Sequence, residues 1–285
     1  MRNKMNKEQW LNQVVMFDEW GRPPSLADVP LSYGSRAKMF EVGGCVRDEF
    51  LGLQSKDIDF TFVLDNLDQT VEQGFADMTA FLKDNGFEIF LSTPDCFTIR
   101  AKFPKDHVHA GLVADFVMAR KEIGVVPGTR RPILKLGTLH DDLERRDFRC
   151  NAIAKDVDGK IIDPFEGVAD IQSRLLDTPL DPTVTFMDDP LRMLRAIRFR
   201  ITKGFAIAPR VLDAMKQPEL IDRLKETVSD ERIREELGKA FAHDTLKTLR
   251  ILNTVDELLP GFLDACFDSG LRLEPTFKKT KKNNI

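Results

Sequence analysis

Asp57 and Asp59 stand one residue apart at the mouth of an apolar run, Phe60-Thr61-Phe62-Val63-Leu64. In an extended chain residues i and i+2 project from one face, so the two carboxylates share a side. Like charges so placed repel unless a cation lies between them. Mg²⁺ takes one or two carboxylates and keeps positions open for substrate phosphates. Two such ions can hold the attacking and leaving oxygens of a phosphoryl transfer. Read alone, the pair also suits the wet face of a half-buried strand. Asp115, inside Leu112-Val113-Ala114-Asp115-Phe116-Val117-Met118, is another acid in an apolar extended run, and such an acid needs a partner or a metal. Adjacent strands lie about 5 Å apart, so Asp115 can join the cluster as a third carboxylate; outward-facing alternation would put it in solvent instead. Upstream, Gly43-Gly44-Cys45-Val46-Arg47-Asp48 pairs a backbone that approaches a ligand closely with a guanidinium fork, a combination suited to phosphate. An ordinary turn with an exposed arginine has the same composition.

These residues need a scaffold. Residues 37–42 read as a strand leading into the glycines, and the run after Asp59 as a second. Val71, Phe75, Met78, Phe81 and Leu82 recur at helical spacing over about 68–85, and Asn85-Gly86 stops that helix. Strands at 87–91, 97–103 and 112–118 then follow without intervening helices. The expectation is an α+β fold, a small mixed sheet with helices on one face, and not a doubly wound nucleotide fold. The Gly- and Pro-rich stretch 121–140 reads as a loop, 141–156 as helix, and 159–164 as a hairpin-like return. From Glu166 the pattern is helical, at about 166–176, 190–203, 209–216, 219–226, 230–243 and 245–258. A joint near 178–188 separates an N-terminal domain (37–178) from a helical one (179–285), and 1–36 forms an extension.

Whole-chain properties narrow the class. The 285 residues are 42% hydrophobic and 31% charged, with a net charge of −4, as in a soluble globular protein. Any nucleic-acid surface must therefore be a local patch. Lys278, Lys279, Lys281 and Lys282 form a terminal basic run of the kind that is commonly a solvated end. Cys45, Cys96, Cys150 and Cys266 are scattered without CxxC spacing, which reads as reduced thiols in a cytoplasmic protein. No apolar stretch of about 18 residues predicts a membrane span. His107 and His109 suit a transition metal or a surface turn, and spacing supplies no third ligand.

Strand, Gly-Gly, short helix with Arg47-Asp48, then strand with Asp57-x-Asp59 resembles the DNA polymerase β-like nucleotidyltransferases. Arg145-Arg146-Asp147-Phe148-Arg149-Cys150-Asn151-Ala152-Ile153-Ala154 resembles the RRDFTINAMA segment of class II tRNA nucleotidyltransferases and bacterial poly(A) polymerases. Ile162-Asp163-Pro164-Phe165-Glu166-Gly167 is similar to that family's DPFGG segment. Asp188-Asp189-Pro190-Leu191-Arg192-Met193-Leu194-Arg195-Ala196-Ile197-Arg198-Phe199 resembles its EDPLRMLRAIRF helix, and Ser229-Asp230-Glu231-Arg232-Ile233-Arg234-Glu235-Glu236-Leu237 its later ERIREEL helix.

The resemblance implies a polymerase β-like head followed by an all-helical neck and partial body. It implies an enzyme that adds CCA to tRNA 3′ ends, with Mg²⁺ as cofactor and CTP and ATP as donors. Poly(A) addition or partial addition of C or A alone are the variants; a non-catalytic RNA-binding protein of the same fold is the rival. Asp57 and Asp59, assisted by Asp115, would hold the metal, and Gly43, Gly44 and Arg47 the triphosphate. Arg145, Arg146, Asp147 and Asn151 would hold phosphates and ribose. Asp189 and Arg192, at i and i+3 on one helical face, would read the base with Asp188 in support, and Arg195 and Arg198 would line the same nucleotide. Leu191, Leu194, Ile197 and Ile201 form a separate stripe that buries this helix. With Pro190 at the helix start, Asp189 also suits a plain N-cap. Two departures stand out: Asp188 replaces the family's Glu, and Arg149 its Thr. Residues after about 245 are what is left for the family's tRNA-gripping body and tail.

Overall fold

The computed structural model describes residues 37–55, 58–105, 110–125, 132–156 and 158–267. Asp57, His107, His109, the extension 1–36 and the lysine run at 278–282 lie outside them. The chain divides into two compact units, Met1–Ser173 and Arg174–Ile285.

The first unit is built on a seven-stranded mixed sheet. Its strands are β1 (Ala37–Val42), β2 (Ile58–Leu64), β3 (Glu88–Thr93), β4 (Thr98–Lys102), β5 (Val113–Met118), β8 (Ala154–Lys155) and β9 (Ile161–Ile162), in the order β3-β4-β5-β2-β1-β8-β9. Only the β2–β5 pairing is parallel, and the chain between those strands supplies α2 (Val71–Asp84). A Thr70–Gln73 capping box starts α2, and Gly86, at φ 77°, follows its end. Phe60, Phe62, Phe116, Met78, Phe81 and Leu82 bury one face of the sheet under this helix. The Phe60 and Phe116 rings stack with centroids 5.2 Å apart. Each such side chain contributes about 1.5–3 kcal/mol by leaving water. Gly74 lets α2 come close: a Cβ there would sit 2.7 Å from Leu64 Cδ1.

The opposite face is covered too, which corrects the expectation of helices on one side. Val42 packs with Leu143, Ala152 and Ala154, and Leu143 belongs to α3 (Leu139–Glu144). Strand alternation divides β1 between the two layers, Ala37 and Met39 to one, Phe40 and Val42 to the other.

Other elements differ from the sequence reading. The described part of 121–140 is mostly an antiparallel ribbon, β6 (Arg120–Val125) with β7 (Pro132–Leu136). Its Gly124 marks a register shift, so that glycine serves a bulge and not a loop. The helix expected over 141–156 stops at Glu144. Beyond it, Asp147 Oδ1 accepts from the Phe148 N–H at 2.9 Å and from Asn151 Nδ2 at 2.8 Å. The first of these takes the place of a helical backbone bond. The helix expected at 166–176 is α4 (Gly167–Ser173), followed by the short strand β10 (Leu175–Leu176).

Glu166 has φ 62°, a left-handed conformation that disfavours any residue with a Cβ. The next residue must be glycine, since a Cβ on Gly167 would lie 2.0 Å from the Arg149 carbonyl oxygen. Replacing Glu166 by Gly is expected to stabilise the protein by about 0.5–1 kcal/mol, because relief of strain exceeds the added chain entropy. A rise in the urea midpoint at unchanged m-value would register it; a fall would contradict it.

The second unit is helical apart from β10 paired with β11 (Ala206–Ile207). The expected joint at 178–188 contains a helix of its own, α5 (Pro182–Asp188), with Asp181 as its cap. Then come α6 (Leu191–Thr202), α7 (Pro209–Met215), α8 (Pro218–Thr227), α9 (Asp230–His243), α10 (Thr245–Leu258) and α11 (Phe262–Phe267). The stripe Leu191, Leu194, Ile197 and Ile201 is buried. Among the described residues no helix is long and apolar enough to cross a membrane.

Candidate active site

Strand register sets the acids side by side. Asp59 on β2 pairs with Asp115 on β5, as Ile58 pairs with Ala114 and Phe60 with Phe116. The Phe residues face the apolar core, so the acids alternate onto the other face. Asp115 is a quarter exposed. Arg100 on β4 is in register with Asp115 from the far side. Its Nε donates to one carboxylate oxygen at 2.6 Å and its Nη2 to the other at 2.5 Å.

Thr61, two residues beyond Asp59 on the same strand and face, ties in the segment 142–151. Its hydroxyl donates to Asp142 Oδ2 at 2.7 Å and accepts from Arg146 Nη2 at 3.3 Å. Asp142 is fully buried and pairs with both arginines, Arg145 at 2.6 Å and Arg146 at 2.8 Å. Burial alone would raise this carboxyl, but the charges of Arg146 and Arg145 and the hydrogen bonds from Arg146 and Thr61 bring it down to about 2.

Gly43 closes this network on the glycine side. It has φ 74° and ψ −128°, and a Cβ there would lie 2.7 Å from Arg146 Nη1, so the position admits only glycine. Gly44 begins α1 (Gly44–Phe50). Arg47 is 7% exposed. Its Nε donates to Asp48 at 2.8 Å and its Nη1 to Asn151 Oδ1 at 2.5 Å, and Asn151 donates onward to Asp147. Arg47 is thus a strut between the glycine turn and the segment 147–151. Cys45 lies beside this turn, its Sγ donating to the Val42 carbonyl at 3.2 Å. Burial, and then the charges of Glu41 and Asp59, push its thiol up.

In the second unit Asp188 Oδ2 meets Arg192 Nη2 at 2.9 Å, so aspartate reaches the arginine despite being one methylene shorter than glutamate. Arg192 Nη1 also donates to the Thr185 carbonyl at 3.0 Å. Asp189 accepts from the Leu191 N–H at 3.2 Å, so the capping bond weighed from sequence exists. The same carboxylate accepts from both Arg232 terminal nitrogens, at 3.2 and 2.7 Å. Arg195 and Arg198 converge on Glu236, which is 3% exposed.

Asp142, Thr61, Arg100, Arg232 and Glu236 were absent from the sequence-based site. Asp142 carried a local signal, an acid three and four residues before two arginines. Arg100 and Arg232 carried none, because strand register and helix packing bring them in.

As donors, Asp59 and Asp115 offer hard oxygen atoms suited to a divalent cation such as Mg²⁺. Among the described residues no group of three or more His, Cys, Asp or Glu side chains is placed to hold a metal; Asp57 lies outside them.

Residues 39–177 match the poly(A) polymerase head domain family. The chain is 36% identical over 183 residues to the multifunctional CCA protein of Nitrosomonas eutropha, covering 63% of this chain and 38% of that protein. It is 30% identical over 257 residues to the CCA-adding enzyme of Francisella tularensis, covering 86% of this chain and 64% of that one. The crystal structure of the Bacillus stearothermophilus CCA-adding enzyme in complex with CTP is similar at a TM-score of 0.63 and 27% identity, over 94% of this chain and 57% of that chain. The chain thus spans less than two thirds of the length of these relatives.

Proposed function

We propose that the chain, whose residues 39–177 match the poly(A) polymerase head domain family, is a template-independent nucleotidyltransferase that builds the CCA end of tRNA from CTP and ATP. The register that sets Asp59 beside Asp115, on the face where Thr61 anchors Arg146, carries this reading. The relatives named for CCA addition and the similar structure with CTP support the choice of product and donor.

In this reading Asp57 and Asp59, assisted by Asp115, would hold Mg²⁺. When bound, that ion supplies Lewis-acid polarisation of the phosphate being attacked. The RNA 3′ oxygen bonds to the α-phosphorus of the nucleotide as the bond to the β-phosphate oxygen breaks, and pyrophosphate leaves. Gly43 and Gly44 present backbone to the triphosphate. Arg145 and Arg146 neutralise phosphate charge. Asp147 and Asn151 hold the ribose hydroxyls, and Arg47 acts by bracing Asn151. Asp189 and Arg192 read the base. The 2.9 Å Asp188–Arg192 pair supports retained selection of both C and A. Arg195 and Arg198, steadied by Glu236, complete the nucleotide contacts. The free thiols Cys45, Cys96, Cys150 and Cys266 suit a reducing compartment, and we place the reaction in the cytoplasm.

The test is incubation with tRNA lacking its CCA end, Mg²⁺ and each labelled nucleotide in turn. Incorporation of C, and of A after C, is expected. Long runs of A would move the assignment to poly(A) synthesis. Tight RNA binding without incorporation of any nucleotide would replace it with a non-catalytic RNA-binding protein.

A further inference from the structure

Arg100, Asp115 and Asp59 are successive register partners across β4, β5 and β2 and so form one row on one face of the sheet. The Arg100 fork takes both Asp115 oxygens, at 2.6 and 2.5 Å, which fixes the carboxylate plane as well as opposing its charge. A cation approaching the two acids therefore meets a row whose charge is partly cancelled from the Asp115 side. We infer that Arg100 is a positioning residue for this acidic pair. It holds the Asp115 carboxylate by both oxygens and weakens the hold of the two acids on a divalent cation until a triphosphate adds its own negative charge. The inference rests on the proposed metal role of Asp59 and Asp115. Arg100 is 48% exposed and Asp115 25%, so solvent screens the effect. It amounts to about tenfold in cation affinity and not several orders of magnitude.

Mn²⁺ is the probe, titrated into the full chain without nucleotide, with free Mn²⁺ read by electron paramagnetic resonance. The variants are Asp59→Asn, Arg100→Gln and Arg100→Lys, and thermal unfolding of each shows whether the fold is kept. Arg100→Gln is expected to bind Mn²⁺ about tenfold more tightly than the unaltered chain. Arg100→Lys, which keeps the charge and loses the fork, is expected to stay close to the unaltered chain. A purely structural role for Arg100 would change thermal stability and leave Mn²⁺ affinity alone. If Asp59→Asn weakens binding while Arg100→Gln matches the unaltered chain, the inference is overturned and the metal site stands. If the unaltered chain shows no saturable binding, or Asp59→Asn does not weaken it, the metal reading itself fails and takes the inference with it.

Discussion

Replacing Asp59 by Asn is expected to lower nucleotide incorporation by about a thousandfold, because in the proposed reading it removes a metal-holding carboxylate, which supplies several kcal/mol of transition-state stabilisation. Asn keeps the shape and removes one negative charge where two carboxylates stand in register. Asp59 lies on the face opposite the Phe60, Phe62 and Phe116 core, so the substitution leaves that packing in place and thermal unfolding should barely move. Incorporation into tRNA at saturating Mg²⁺ and nucleotide measures the effect. A variant within about tenfold of the unaltered chain would show that Asp59 holds no catalytic ion.

The second large effect falls on stability. Asp142→Ala is expected to destabilise the first unit by about 3 kcal/mol, since it removes a buried carboxylate and leaves two arginines facing the gap. The carboxylate is fully buried and accepts from Arg145, Arg146 and Thr61. The same group makes stability depend on pH. Its carboxyl is lowered from 3.8 to about 2 in the folded chain. The unfolded state therefore takes up the proton first as pH falls. The contribution, about 2 kcal/mol, is fully present above about pH 4 and is lost as pH falls through about 2. Urea unfolding at pH 7 and at pH 3 measures both effects. Asp142→Asn should flatten the acid limb of the profile; an unchanged limb would assign the acid sensitivity to other carboxylates. Because Asp142 also sets Arg145 and Arg146, nucleotide KM should rise in either variant.

The placement of several candidate residues was legible because their surroundings are local. Asp59 and Asp115 each sit in an apolar extended run, and strands of that kind need only pair in register to meet. α2 was legible from Val71, Phe75, Met78, Phe81 and Leu82 at helical spacing and from Asn85-Gly86 beyond them. The buried stripe of α6 was legible for the same reason. The β6–β7 ribbon was not, because Gly124 is what a loop and a bulge both use, and only pairing distinguishes them. The end of α3 at Glu144 was not, because the Asp147 side chain takes the Phe148 N–H in a charged sequence that also suits a helix. Arg100 reaches Asp115 across 15 residues and Arg232 reaches Asp189 across 43, separations at which no local pattern points from one to the other. Asp142 was within reach of a close reading, since its partners follow at i+3 and i+4.

The most direct measurement of the central claim is the mass of a tRNA lacking its CCA end after incubation with the chain, CTP, ATP and Mg²⁺. The expected gain is two cytidylates and one adenylate, with one pyrophosphate released per nucleotide added and no gain with Asp59→Asn. An unextended tRNA recovered from a folded chain that binds it would rule out CCA addition by this chain.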